Sequence, residues 1–149
     1  MAKLIYIIIS ILGGMLAGIQ APVNGELGKK IGTFEGALFS FFIGTLFLTF
    51  IVLFFGKGQM SGISAVPKWQ LVGGFIGAIF VMTIIIAVPH LGVALTILSA
   101  IIGQVLISMV IDHFGFFGVE VIPINWNRVI GLILMFTALF FIYRDRLTI

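Results

Sequence analysis

The residues with chemistry to offer in this 149-residue chain are few, and nearly all stand inside or at the ends of apolar runs. Gln104 lies well within one such run. It shares about half a helical circumference with Thr96, Ser99, Ala100, Gly103 and Ser108, while Leu95, Leu98, Ile102, Val105, Leu106 and Met109 face away. An amide surrounded by hydrocarbon has no water to bond, so Gln104 must meet another helix, a cavity or a solute. Asp112 and His113 close the same run. At a membrane boundary beside Lys57, Lys68 and Arg128 they form either a salt-bridged cluster or a gating and coupling relay, histidine being the side chain whose charge changes near neutrality. Gln20 and Asn24 supply two further amides and Ser40 a hydroxyl, as candidate contacts along a solute pathway. Glu26 and Glu35 fall at helix ends, with Glu26 a further coupling candidate. No carboxylate occupies mid-membrane depth, which argues against exchange of a lipophilic cation for protons at one buried Glu.

Hydrolytic and metal chemistry find no support. The chain has no metal-ligand spacing, no Gly-rich phosphate loop after a strand, and no serine with a histidine and an acid at one depth. The absence of cysteine excludes disulfides, thiolate metal sites and cysteine nucleophiles. The expectation is a protein that is not an enzyme and carries neither cofactor nor metal.

The elements that must position these groups are membrane helices. With 61% hydrophobic and 9% charged residues and a mean hydropathy of +1.32, the chain is far from a soluble domain, in which about 25% of residues are charged. The net charge of +3 comes from bases scattered singly at helix ends, where they anchor to headgroups, so nucleic acid is not an expected partner. The pattern predicts an all-α integral membrane protein. It forms a single domain of five transmembrane helices over about 4–21, 34–55, 70–88, 91–111 and 127–143. Pro22 ends the first helix, Pro89 to Gly92 splits the third from the fourth, and Asp112 to Asn127 is the longest irregular stretch. The N-terminal run imitates a signal peptide, but four further apolar runs make it read as a retained first helix.

Small residues gather on single faces. Gly14 and Gly18 on the first helix, Gly73 and Gly77 on the third and Gly103 on the fourth predict close helix packing. The spacings Gly28 to Gly32 and Gly32 to Gly36 lie in or beside a loop and carry little weight on this reading.

Five spans put Lys3, Lys57, Lys68 and Arg128 on one side of the membrane and Lys29, Lys30, Arg144 and Arg146 on the other. Orientation normally follows an excess of Lys and Arg on the cytoplasmic side. An even division predicts insertion both ways up, and two opposed copies would reproduce the inverted repeats of many secondary transporters.

Several stretches resemble one family. Gln20-Ala21-Pro22-Val23-Asn24-Gly25-Glu26-Leu27-Gly28, followed by Ser40 and Gly44-Thr45, is similar to the opening of the YdcZ-like family, five-helix members of the drug/metabolite transporter superfamily. So are Gly73-Gly74-Phe75-Ile76-Gly77, Val88-Pro89-His90-Leu91-Gly92, and Gly103-Gln104 with Ser108 and Asp112-His113-Phe114-Gly115. Arg128 and Gly131 complete the pattern. The resemblance implies half of a ten-helix inverted-repeat transporter, working as an antiparallel pair of identical or paralogous subunits. The function expected is alternating-access transport of a small metabolite. A passive small-ion channel and a non-transporting accessory subunit remain as alternatives.

Overall fold

A computed structural model describes residues 2–147, with side chains from Lys3 to Asp145. Its long elements are five α-helices: α1 (Ala2–Ile31), α2 (Thr33–Phe55), α3 (Val72–Leu91), α4 (Val93–Phe114) and α5 (Trp126–Leu147). No strand occurs among the described residues. All five helices are long and apolar enough to cross a bilayer, whose hydrocarbon core takes about 20 residues. They are apolar nearly all round, as a helix solvated by lipid must be, and most of their large side chains are exposed. The chain is an all-α integral membrane protein.

The helix ends depart from the sequence expectation where proline was given the deciding vote. α1 does not stop at 21 but continues through Pro22 to Ile31. α3 likewise carries Pro89 inside and stops only at Leu91. A proline in a helix forfeits one backbone hydrogen bond, here to the Gly18 carbonyl in α1, whereas ending a helix strands several groups at once. Where water is scarce the first cost is the smaller. The breaks fall on glycine instead. Gly32 (φ 105°, ψ 152°) joins α1 to α2, and Gly92 (φ 75°, ψ 170°) stands between α3 and α4. Both lie in a backbone region open essentially to glycine alone. Between α4 and α5 the irregular stretch is shorter than expected, because α4 runs to Phe114 and α5 starts at Trp126.

By its internal contacts the chain divides between His90 and Leu91 into two units. In the first, α2 doubles back along α1 from the Gly32 elbow. A methyl group on Gly36 would lie 3.1 Å from the Gly28 Cα, so these two backbones touch. One on Gly25 would sit 3.0 Å from Val88 Cγ1, and one on Gly28 would overlap the Ile85 side chain. Close packing within the unit therefore rests on Gly25, Gly28 and Gly36, and the Gly28, Gly32 and Gly36 spacings that the sequence reading discounted build it. The glycines chosen for packing behave differently. A Cβ at Gly14, Gly18, Gly73 or Gly103 meets nothing within 4 Å among the described residues, and one at Gly77 makes only ordinary contact with the Phe41 ring at 3.7 Å.

In the second unit α4 packs on α5. Leu95, Ile102 and Met109, one heptad apart, are buried, whereas Ser99, Gly103, Gln104 and Ser108 are exposed. Within this chain α4 buries its apolar stripe and turns most of its polar face outward.

Candidate functional site

Two grooves hold most of the candidate polar residues, one in each unit. The first lies between α1 and α2. Gly28 opposite Gly36 and Asn24 opposite Ser40 set the antiparallel register, and continuing it one turn further brings Gln20 level with Gly44. The helices diverge away from the elbow. Their backbones touch at Gly28 and Gly36, a side-chain hydrogen bond spans them at Asn24 and Ser40, and a Cβ on Gly44 meets nothing within 4 Å. The wedge left open has a volume of about 720 Å³ and is lined by Gln20, Asn24 and Ser40 among Val23, Leu27, Ile31, Phe39, Ile43, Gly44 and Phe47.

Asn24 is the best-defined group in this groove. It is only 5% exposed, and the Ser40 hydroxyl donates to its Oδ1 at 3.1 Å. Its amide nitrogen has no partner among the described residues, yet no fully buried side-chain nitrogen or oxygen goes unsatisfied. The nitrogen must therefore keep some access, and the groove that Asn24 lines provides it. Gln20 has no hydrogen-bond partner within the described chain. It lies about 5 Å past the midpoint of α1 at ~1.5 Å per residue, deeper along the helix than an α1 ending at 21 would have placed it.

The second groove, about 340 Å³, runs between α4 and α5 and is lined by Val105, Ser108, Met109, Asp112, Arg128, Gly131, Leu132 and Met135. Its polar end is closed by an ion pair, Arg128 Nη2 to Asp112 Oδ2 at 3.0 Å, with both side chains roughly three-tenths exposed. The surrounding loop is laced to the same place. The Asp112 carbonyl accepts the Ile122 N–H at 2.9 Å, His113 Nδ1 accepts the Ile124 N–H at 3.2 Å, and Asn125 Oδ1 accepts the Arg128 N–H at 3.0 Å as a helix cap. Phe114 stands edge-on to the His113 ring at 4.8 Å between centroids.

The candidate residues thus fall into three groups. Gln20, Asn24 and Ser40 share the first groove, while Ser108 and Asp112 share the second with Arg128. His113 serves the loop. Gln104 lines neither groove and has no hydrogen-bond partner among the described residues, although it sits at the middle of α4. Glu26 is exposed at the charged end of α1, 3.5 Å from Lys29. Sequence reasoning missed the glycine elbow and the aromatic wall of Phe39 and Phe47. The glycines at 28, 32 and 36 were the available signal, since a small residue on each side of a glycine break lets two antiparallel helices approach closely.

Five apolar spans with polar groups drawn into two grooves define a multi-pass membrane protein. The chain belongs to the YdcZ family: residues 5–141 match the family model described as "Putative inner membrane exporter, YdcZ". It is accordingly a multi-pass protein of the inner membrane, from an exporter family. No curated protein and no solved structure gives a significant match to the chain.

Proposed function

We propose that the protein exports a small metabolite by alternating access, acting as a carrier and not as a catalyst, and that its working form is an antiparallel pair of copies. Five helices opposed to five inverted helices reproduce the inverted-repeat layout of secondary transporters, in which one repeat rocks against the other around a central site. Gln104 is the observation that carries this reading. A primary amide at mid-helix, exposed and without a hydrogen-bond partner among the described residues, is expensive to leave in hydrocarbon. A second subunit or a hydrated pathway removes that cost, and an antiparallel dimer with a central pathway supplies both.

Two features support the same assembly. A Cβ at Gly14, Gly18, Gly73 or Gly103 meets nothing within 4 Å among the described residues, which leaves these positions open to close approach by another helix. The even division of Lys and Arg between the membrane sides gives a single copy no strong reason to insert one way up. Gln20, Asn24, Ser40, Gln104 and Ser108 would line the pathway, and Asp112 with Arg128 would gate its end.

Orientation provides the test. A reporter fused after α5 is expected on both sides of the membrane, and two or three added lysines there should drive that end to the cytoplasm. A reporter found on one side only overturns the homodimer and points to a paralogous partner of opposite orientation. Purified protein in liposomes separates the remaining classes: flux that saturates marks a carrier, flux that does not marks a channel, and none at all marks an accessory subunit.

A further inference from the structure

Resting on that transport reading, we infer that the groove between α1 and α2 binds an uncharged amphipathic solute, with an apolar body against Phe39, Ile43 and Phe47 and a hydrogen-bond acceptor on the free Asn24 amide nitrogen. The absence of charge in the wall comes first. None of the groove's lining residues is ionisable, and the nearest charged residues on its two helices, Glu26, Lys29 and Lys30 on α1 and Glu35 on α2, are exposed at the elbow end, with Glu26 and Lys29 paired to each other. An ion entering the groove would lose its hydration and gain only amide and hydroxyl dipoles, a poor exchange in a low-dielectric wall.

The polar groups are too well prepared for a purely apolar occupant such as an acyl chain. Asn24 is 95% buried, its oxygen is fixed by Ser40 at 3.1 Å, and what remains free is a donor opening on the groove. Anchoring one end of the amide orients the other, as a recognition group requires. Gln20, one helical turn away on the same face, adds a donor and an acceptor of its own. The volume of about 720 Å³ falls within the range of small-molecule sites. A few polar atoms at one place in an aromatic and aliphatic wall select a solute with one polar end, such as an amide, an alcohol or a ketone on a hydrocarbon body.

The experiment uses three probes that share a phenylalkyl body and differ in the charge and hydrogen-bonding groups of the polar end: 4-phenylbutanamide, 4-phenylbutyrate and 4-phenylbutylammonium. Binding to the purified full-length protein in nanodiscs is expected for the amide at least tenfold more tightly than for either ion. Asn24→Leu should weaken the amide tenfold or more, and Asn24→Asp should reverse the order in favour of the ammonium probe, a change that simple misfolding would not produce. Equal binding of all three probes, preference for an ion by the natural protein, or no binding at all overturns the assignment. Because the chain has no cysteine, Gly44→Cys gives a clean cross-linking probe of whether a partner helix fills the groove. Efficient disulfide-linked dimers through that position would also overturn it. The transport reading fails separately: amide binding with the expected selectivity, but no amide flux in liposomes, leaves the site standing and removes the carrier.

Discussion

The helix pair α1–α2 and the helix pair α4–α5 solve the same joining problem with opposite materials. The first is held at its turn by the absence of side chains, with Gly32 alone between the helices and the backbones of Gly28 and Gly36 in contact just beyond it. The second is held by polar side chains and a loop: an ion pair, a histidine acceptor, an asparagine cap and a carbonyl that together bind Gly115–Asn125 across the helix ends. The first cleft is lined by no ionisable residue, because the charges near its turn, Glu26, Lys29, Lys30 and Glu35, are exposed at the helix ends. A turn made of charges puts a fixed dipole at the mouth of its cleft. Under the proposed function, the difference assigns solute contact to the neutral wedge and control of access to the charged end.

The largest effect is expected where the first pair has no slack. Gly36→Leu forces a branched side chain against the Gly28 backbone, where even a methyl group would sit 3.1 Å from Cα. Overpacking of this kind costs about 1–3 kcal/mol or more. Gly32→Ala adds strain of a similar size, about 1–3 kcal/mol, at a backbone conformation that a side chain rarely adopts. Both should abolish a monodisperse peak on size exclusion in detergent. Gly18→Leu is the contrast, because a Cβ there meets nothing within 4 Å among the described residues. It should leave the subunit folded and shift a dimer to monomer. A normal dimer from Gly18→Leu would remove that face from the interface, and a normal peak from Gly36→Leu would remove the elbow from the account of the fold.

That contrast also shows what the sequence made legible. The number and approximate place of the spans followed from hydropathy, because in lipid the demand for apolar side chains and internal backbone bonding overrides local propensity. Proline misled for the same reason. Rules drawn from helices in water ended α1 at Pro22, and with α1 cut short the glycines from 28 to 36 looked like a loop. Gly14 and Gly18 share a face of α1, yet a Cβ at either meets nothing within 4 Å among the described residues. A helical wheel shows which residues share a face but cannot say which neighbour that face meets. The same limit explains Asn24 and Ser40. Each was visible as a polar group on its own helix, but their pairing depends on a register set by the elbow.

A smaller effect is expected at the charged turn. Asp112→Asn removes the charge that Arg128 meets at 3.0 Å but keeps the backbone carbonyl that holds Ile122. A partly solvated pair contributes up to about 1 kcal/mol, so amide exchange over Gly115–Asn125 should accelerate by about fivefold without loss of the folded subunit. If Asp112 gates the pathway, flux should change in Asp112→Asn while equilibrium binding of solute in the α1–α2 groove does not. Exchange that is unchanged would show that the backbone bonds and the Asn125 cap hold the loop without the ion pair.

The smallest expected effect on stability lies in the neutral groove. Ser40→Ala deletes one hydroxyl and leaves the packing of α1 on α2 to the glycines, so the loss should be near the average for a hydrogen bond within a membrane protein, about 0.6 kcal/mol. Its influence on binding should be larger than that figure suggests. Without the Ser40 donor, the Asn24 amide is free to turn over, and its oxygen then competes with its nitrogen for the place facing the groove. An acceptor-bearing solute should bind several-fold less tightly to Ser40→Ala, while Ser40→Thr, which keeps the hydroxyl, should restore most of the affinity. Equal losses in stability and affinity for both variants would mean that the residue serves only to pack the two helices. A loss of affinity confined to Ser40→Ala would make Ser40 a positioning residue for Asn24.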